Sequence, residues 1–322
     1  MTSTLRLWLH RLALLTAACT CFLVFAGGMV TSTGSGLAVP DWPLSYGTLF
    51  PPMVGGIFYE HGHRMVAALV ALLTAALAAA TWRIDARPWV RRLAVLALAA
   101  ILAQALLGGL TVLFLLPVAI SVAHAGVANL FFCLLVSLAV FTTPEHTASP
   151  HRPVPAREAS LFPRWSLLTA AIYVQILIGA LMRHTGSGLA IPDFPLAFGH
   201  LLPPLRSWPV AINFAHRIGA LGVLILASRA MVRTLACASR PPGITLPAWL
   251  VTLLLPVQIL LGALTIWTGK APILASLHVA VGTLTLGVSL WAALRARPAI
   301  PQRNPLHATL ALGRSAAPGE PA

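Results

Sequence analysis

The chain has 322 residues, of which 58% are hydrophobic and only 9% are charged, and its mean hydropathy is +0.87. These values exclude an ordinary soluble domain and indicate several membrane-spanning helices. The formal net charge of +14 does not indicate binding to nucleic acid, because no soluble basic domain carries that charge. We therefore expect an all-α integral membrane protein.

Eight stretches are long and apolar enough to cross a bilayer, whose hydrocarbon core needs about 20 mainly apolar residues. In chain order they are residues 9–30, 63–82, 92–114, 118–141, 165–183, 212–233, 246–267 and 273–294. The first stretch follows Arg6 and Arg11 and resembles a signal peptide. The stretch at 165–183 corresponds to it in a repeat within the chain and lies in the middle of the sequence, where no signal peptide is cleaved. We therefore predict that the first stretch is a retained helix.

Basic residues are distributed unevenly between the two ends of the predicted spans. If the N-terminus is cytoplasmic, only five of the 21 basic residues lie outside, namely Arg64, Arg183, Arg206, Arg217 and Lys270. The positive-inside rule then places both termini in the cytoplasm. The excess positive charge is a topology signal, with the anionic headgroups of the lipid bilayer as its partner.

The sequence contains two copies of one unit. Residues 34–52 (GSGLAVPDWPLSYGTLFPP) recur at 186–204 (GSGLAIPDFPLAFGHLLPP), and QALLGGLT at 104–111 recurs as QILLGALT at 258–265. Internal repeats are common in membrane proteins. This repeat predicts eight transmembrane helices arranged as two pseudo-symmetric four-helix bundles.

The repeat also predicts how the chain divides. The predicted units are an N-terminal bundle at 1–148, a cytoplasmic linker at 149–164, a C-terminal bundle at 165–297 and a disordered cytoplasmic tail at 298–322. The repeated connections at 31–62 and 184–211 lie on the outer face and are rich in Gly and Pro. We expect them to form ordered lids without long helices.

Four of the eleven histidines occupy matched positions, His63 and His124 in the first half and His216 and His278 in the second. We expect His63 and His216 to begin the second and sixth helices and all four to lie in the outer leaflet. Ionisable residues in spans are costly and point to function. Two imidazoles in one bundle suit the axial ligands of a haem iron, so each half offers a bis-histidine haem site. The alternatives are interhelical hydrogen bonds, or zinc, for which the second half lacks a tetrahedral ligand set.

The repeat breaks three residues before the first histidine of each pair, where Glu60 stands in one half and Asn213 in the other. Glu60 and His63 share a helical face at i, i+3. A carboxylate there lies near the edge of a macrocycle bound to His63 and suits a general base or charge stabiliser. The alternative is helix capping, which favours carboxylates in the first turn and Asn at the N-cap.

Taken together, these features resemble the haem A synthase family, integral membrane enzymes that convert haem O to haem A for cytochrome oxidase. The resemblance covers nearly the whole chain and rests on eight spans, two related halves, the TGSGLA-x-PD-[WF]-PL loops, the ExxHR motif and the later histidines. It implies an oxidoreductase in which Glu60 is catalytic. It also implies that His63 and His124 bind substrate haem O or product haem A. His216 and His278 would then be the axial iron ligands of a haem b.

Many bacterial members of that family carry a cysteine pair in an outer loop. This chain has Val39 and Ser45 at those positions, and Ile191 and Ala197 in the second loop, so it resembles the cysteine-less branch. The resemblance implies a multi-pass protein of the cell (inner) membrane with its sites toward the outer leaflet. It further implies haem O synthase and cytochrome oxidase assembly factors as partners, together with an unidentified electron acceptor.

Two other functions are compatible with the histidines. One is a di-haem b electron-transfer cytochrome, and the other is a haem chaperone or exporter that binds haem transiently. Neither function needs a carboxylate in one half only, so the difference between Glu60 and Asn213 favours the enzyme.

Overall fold

The computed structural model describes residues 3–143, 160–238, 240–241 and 243–297. These residues form eight long α-helices and one short 3-10 helix at Ser187–Leu189. The long helices are α1 (Ser3–Ser32), α2 (Gly55–Ile84), α3 (Pro88–Leu113), α4 (Val118–Phe141), α5 (Leu161–His184), α6 (Trp208–Ala236), α7 (Thr245–Trp267) and α8 (Pro272–Arg295). All eight are long and apolar enough to cross a membrane, which confirms the predicted all-α fold with eight spans.

The helices are apolar on most of their surface, as expected for helices that face lipid. Large side chains such as Leu72, Leu102 and Leu253 are exposed. Several buried hydroxyl side chains bond within their own helix, because hydrocarbon offers no water to bond them. Thr74 and Thr81, for example, each donate to the carbonyl oxygen four residues earlier at 2.7 Å. The chain is therefore a multi-pass membrane protein.

Each half of the chain forms a closed ring of packed helices. In the first half α1 packs against α2, α2 against α3, α3 against α4 and α4 against α1, and α5 to α8 repeat this order. The two rings meet where α1 packs against α8, α4 against α5 and α4 against α8. This arrangement supports the two predicted bundles, whereas their pseudo-symmetry and the cytoplasmic termini stay predictions. The predicted tail at 298–322, and the linker up to residue 159, lie outside the described residues.

Polar contacts and a glycine join the two rings. Thr283 on α8 donates to Asn129 Oδ1 on α4 at 2.9 Å, and both residues are buried. Arg183 near the end of α5 donates to the Gly28 backbone oxygen on α1 at 2.7 Å. A Cβ on Gly28 would lie 3.0 Å from the Ser276 Cβ on α8. Such close approach at small residues is typical of helix interfaces in membranes.

Two helices begin earlier than the sequence predicts. Helix α2 begins at Gly55 and α6 at Trp208, although the apolar stretches start only at residues 63 and 212. Each helix begins a few residues after a pair of prolines in the preceding loop. Proline is tolerated in the first turn of a helix, because an N–H group at that position would have no partner within the helix. His63 and His216 are therefore in the third turn of their helices, and the prediction that they begin these helices was wrong.

We expect both outer loops to be reachable only from outside the cell membrane. The test uses a background without the native cysteines Cys19, Cys21, Cys133 and Cys237. A single cysteine replaces Phe50 or Leu201, which are 80% and 83% exposed. A membrane-impermeant maleimide should label both in intact cells. A cysteine at Ala86, between α2 and α3, should react only after the membrane is opened, and the reverse pattern would contradict the predicted topology.

Candidate functional site

The two repeated loops, residues 33–54 between α1 and α2 and residues 185–207 between α5 and α6, fold in the same way. They are shorter than predicted because α2 and α6 begin early. In each loop an aspartate, Asp41 or Asp193, accepts hydrogen bonds from two backbone N–H groups. The N–H of the residue five positions later lies at 2.7 Å, and that of the residue six positions later at 2.8 Å, in both loops. These N–H groups, above all the later one, lower the pKa of each aspartate. The shared turn supports the prediction that both loops are ordered.

Two arginines attach the loops to the helices. Arg64 on α2 donates to the backbone oxygens of Asp41 and Leu44, both at 2.8 Å. Arg217 on α6 donates to the Leu196 backbone oxygen, also at 2.8 Å. Each arginine directly follows the first histidine of its pair, so every loop is fixed to the helix that carries this histidine.

Glu60 also holds the first loop, and it is only 4% exposed. Its Oε2 accepts the Val39 N–H at 2.8 Å, and its Oε1 accepts Arg64 Nη2 at 2.7 Å in an ion pair. Both carboxylate oxygens are therefore bonded beneath the loop. Because Glu60 and His63 are three residues apart on α2, the carboxylate lies between the loop and the predicted haem site.

Asn213, 2% exposed, makes different bonds at the equivalent place. Its Nδ2 donates to the backbone oxygens of Ser187 and Gly188 at 3.0 and 3.1 Å, and its Oδ1 accepts Arg217 Nε at 3.0 Å. Glu60 and Asn213 are each the sixth residue of their helix, so neither caps it. The capping alternative was therefore wrong: both residues anchor a loop, one as an acceptor and the other mainly as a donor.

Each of the four matched histidines packs against a glycine of the preceding helix. A Cβ on that glycine would meet the ring carbon Cε1 of the histidine. The distances are 2.9 Å for Gly27 and His63, 2.9 Å for Gly179 and His216, 3.1 Å for Gly262 and His278, and 3.4 Å for Gly108 and His124. These four glycines, which we call the histidine seats, leave the space that the imidazole rings occupy.

The sequence analysis did not identify these four glycines as the contacts of the histidines, and it did not identify Gln175 either. A signal was available, because Gln104, Gln175 and Gln258 each stand four residues before one of the seats. Each of these glutamines donates through Nε2 to the backbone oxygen of the histidine opposite, at 2.6 to 2.9 Å. The pattern Q-x-x-x-G thus marks three of the four places where a histidine meets its neighbouring helix.

The two matched histidines of the second half lie close together, whereas their role as haem ligands stays a prediction. The ring centroids of His216 and His278 are 6.4 Å apart. Two imidazoles on opposite sides of one metal ion, at about 2 Å per bond, have centroids roughly 6 Å apart, so this spacing fits an iron between them. His278 Nδ1 donates to the Gln258 backbone oxygen at 3.1 Å, and its Nε2, the atom that would face a metal, lies 3.4 Å from the nitrogen of the Gln258 side-chain amide.

The alternatives to paired haem ligands have less support. The Nδ1 atoms of His63 and His124 are buried and have no hydrogen-bond partner in the described part of the chain, so interhelical hydrogen bonding does not explain this pair. The rings of His216 and His278 do bond residues of the neighbouring helix, so for them the alternative stays open. Nor do the described residues contain a group of three or more His, Cys, Asp or Glu side chains that could hold a metal ion. A tetrahedral zinc site is therefore not supported.

The first loop reaches the histidine site through Trp42. The ring of Trp42 covers Gly109 on α3, where a Cβ would lie 2.7 Å from the ring, and Gly109 directly follows the seat Gly108. In the second loop the equivalent Phe194 packs against Trp267, with ring centroids 6.3 Å apart. Each loop therefore covers one end of its own bundle, which supports the prediction that the loops are lids.

We expect alanine at the histidine seats to displace the rings according to the space that each glycine leaves. Gly27→Ala and Gly179→Ala put a Cβ 2.9 Å from a ring carbon and must move it, whereas Gly108→Ala makes an ordinary contact at 3.4 Å. Gly222→Ala on α6, with no atom within 4 Å, is the control. The absorption spectrum of haem bound to the purified protein should change only for the first two variants. Equal spectra for all four would show that the seats do not position the rings.

The chain is similar to proteins of one known family over most of its length. The family model COX15-CtaA, described as cytochrome oxidase assembly protein, matches residues 10–55 and 57–290. A curated relative from Symbiobacterium thermophilum, named heme A synthase, is 34% identical over 234 residues, which cover 69% of this chain and 74% of the relative. Another of the same name, from Halalkalibacterium halodurans, is 30% identical over 265 residues, or 80% and 87% of the two chains. The chain therefore belongs to the COX15-CtaA family of cytochrome oxidase assembly proteins.

Proposed function

We propose that this protein is a haem A synthase, an oxidoreductase that converts a methyl group of haem O to the formyl group of haem A for cytochrome c oxidase. Family membership and the name of the curated relatives support the proposal. The structural observation that carries it is the buried carboxylate of Glu60 one turn from His63, where the other half has Asn213. A protein that only carries electrons needs no such difference between its halves.

In this proposal His216 and His278 hold a haem b, and His63 and His124 hold the substrate haem O and the product haem A. The 6.4 Å centroid spacing supports the first assignment. The equivalent histidine seats in the other half support the second. When bound, the haem b supplies one-electron redox chemistry. The acceptor to which the electrons finally pass is unidentified.

Glu60 is proposed to take up protons released at the substrate. Conversion of a methyl to a formyl group removes two hydrogen atoms and adds one oxygen atom. Balanced with water as the oxygen source, methyl and water give formyl, four protons and four electrons. These protons need an acceptor beside the substrate, and a carboxylate that releases one of its two hydrogen bonds can serve. The Asn213 amide cannot take this role in the second half.

Arg64 and the first loop are proposed to orient Glu60 and to exclude water. Arg64 bonds both the carboxylate and the loop backbone, so the carboxylate cannot turn independently of the loop. Trp42 covers the outer end of α3 beside the His124 seat. A site closed in this way protects reactive intermediates from water and strengthens the electrostatic interactions inside it.

The proposed location is the cell (inner) membrane, with both haem sites in the outer leaflet. The exposed apolar side chains would face the lipid bilayer. Haem O synthase would supply the substrate, and cytochrome oxidase assembly factors would receive the product. No role in binding nucleic acid is proposed, because the basic residues cluster at one end of the membrane spans.

A di-haem b electron-transfer cytochrome is the second candidate, because both halves present a seated pair of histidines. A haem chaperone or exporter has less support, because glutamines hold the histidine backbones in place. Extraction of the bound haems and measurement of their masses separates these functions. Haem O or haem A in addition to haem B supports the enzyme, whereas haem B alone supports the cytochrome.

Glu60→Gln should lower the rate of haem A formation by roughly 10²–10⁴, the usual effect of losing one positioned acid–base group. Gln keeps one acceptor oxygen, so one of the bonds to Arg64 and Val39 survives and the loop stays attached. Arg64→Lys is the matched variant, because it keeps the carboxylate and a positive charge but loses most loop contacts. Haem extracted from cells should show haem O, or a partly oxidised alcohol, for Glu60→Gln and a clearly smaller loss of haem A for Arg64→Lys, which keeps the carboxylate. Equal losses would mean that Glu60 acts only as a loop anchor.

The two haem sites should respond separately to loss of their ligands. Alanine at His216 or His278 should remove the low-spin haem b signal, because the described part of the chain holds no group of three or more His, Cys, Asp or Glu side chains from which a third could replace the imidazole. Alanine at His63 or His124 should remove haem O and haem A and leave most of that signal. Absorption and electron paramagnetic resonance spectra of the purified variants test this. Loss of one and the same spectral component in all four variants would contradict the two-site assignment.

A further inference from the structure

A pocket between α5 and α6 lies at the end of these helices that is opposite the second loop. Its volume is about 330 Å³, which corresponds to about ten molecules of liquid water. Five residues line it, namely Arg164 on α5 and Ser228, Arg229, Val232 and Arg233 on α6. Arg229 follows His216 by 13 residues, or about 20 Å along the helix, so the pocket is separate from the predicted haem sites.

The three arginines of this pocket have no acidic partner among the described residues. The ion pairs in that part of the chain are Glu60–Arg64 and Asp85–Arg87, both in the first half. Arg164 donates from Nη1 to the Ser160 backbone oxygen, and the side chains of Arg229 and Arg233 bond no described residue. Three positive charges at one pocket repel one another, so an anion bound between them is stabilised.

The repeat shows that the helix does not need these side chains for its packing. Helix α2 carries the equivalent positions of α6 at an offset of 153 residues, and they are Ala75, Ala76, Ala79 and Ala80. The next residue is threonine in both copies, and Thr81 and Thr234 each donate to the carbonyl oxygen four residues earlier. Both helices also cross the membrane in the same direction, so orientation alone does not explain arginines in one copy only.

A buried hydrogen bond holds α5 and α6 together beside the pocket. Trp165 Nε1 donates to Thr234 Oγ1 at 3.1 Å, and both residues are at most 1% exposed. Trp165 directly follows Arg164, and Thr234 directly follows Arg233. The backbones that carry the arginines are therefore held in place before a ligand arrives, which lowers the entropic cost of binding. The first half has Ala13 at the position of Trp165.

An apolar stripe continues from the pocket toward the middle of the membrane. Ile218, Leu221 and Ile225 are 51% to 53% exposed and follow one another at spacings of three and four residues. This spacing places them on the face of α6 that also carries the pocket residues. Gly222 beside them has open space around it. An acyl chain can pack along this stripe, whereas a free anion gains nothing from it.

We propose that this pocket binds the phosphate of an anionic glycerophospholipid, with Arg164, Arg229 and Arg233 around the headgroup and an acyl chain along α6. Arginine binds phosphate through paired N–H donors, and basic pockets between membrane helices suit anionic headgroups. In the predicted topology the pocket opens to the cytoplasmic leaflet, whose surface is negatively charged. The proposal does not depend on the proposed function, because neither haem site takes part.

The test measures lipid binding to the purified full-length protein by native mass spectrometry. Phosphatidylglycerol should bind more tightly than phosphatidylcholine, because the choline cation cancels the phosphate charge that the arginines attract. Arg229→Ala/Arg233→Ala restores the alanines of the first copy and should weaken phosphatidylglycerol binding by about 25-fold, or about fivefold for each arginine. Arg164→Gln should weaken it by about fivefold from the other helix.

The matched control is Arg83→Ala/Arg92→Ala, which removes the same charge from the same end of the first half. Both residues are exposed and neither lines the pocket, so phosphatidylglycerol binding should stay unchanged. Equal losses in the two double variants, or equal binding of the two lipids, would contradict the site. Displacement of phosphatidylglycerol by an equal concentration of inorganic phosphate would mean that the ligand is a free anion and not a lipid. If the α6 double variant does not fold, the result for Arg164→Gln decides.

Discussion

An imidazole placed between two helices in a membrane needs room beside a backbone that is already packed. Hydrocarbon cannot solvate its nitrogens, and at Gly27 and Gly179 even a methyl group on the neighbouring helix would push the ring away. Glycine leaves the ring its space, and at His278 the ring also reaches a backbone oxygen, that of Gln258. The loops, arginines and glutamines of each half are arranged around the rings that these glycines admit.

The same contacts that hold the first loop also place the acidic group. Glu60 joins α2, Arg64 and the Val39 amide, so the anchor of the loop and the proposed proton acceptor are one side chain. The second half shows that the fold needs an anchor here but does not need a carboxylate, because Asn213 holds its loop with a different set of bonds. The acidic character of Glu60 is therefore available for chemistry.

The sequence predicted those features that a one-dimensional pattern can carry. Eight apolar stretches gave the spans, and the repeat drew attention to the four histidines and to Glu60. The early start of α2 was missed because hydropathy cannot place polar residues such as Glu60 and His61 inside a helix, although both are buried there. Gln175 was missed because its partner lies 41 residues away on another helix and its repeat counterpart is a leucine.

One peptide unit of α1 touches the surroundings of both predicted haem sites. Gly27 lies against the ring of His63, and Gly28 lies against Ser276, two residues before His278. Helix α1 therefore cannot slide or rotate at this level without disturbing both contacts. The distance between the two predicted sites is therefore set by a single backbone. In the proposed function, the two copies of the unit can diverge in sequence while the gap that an electron must cross stays constant.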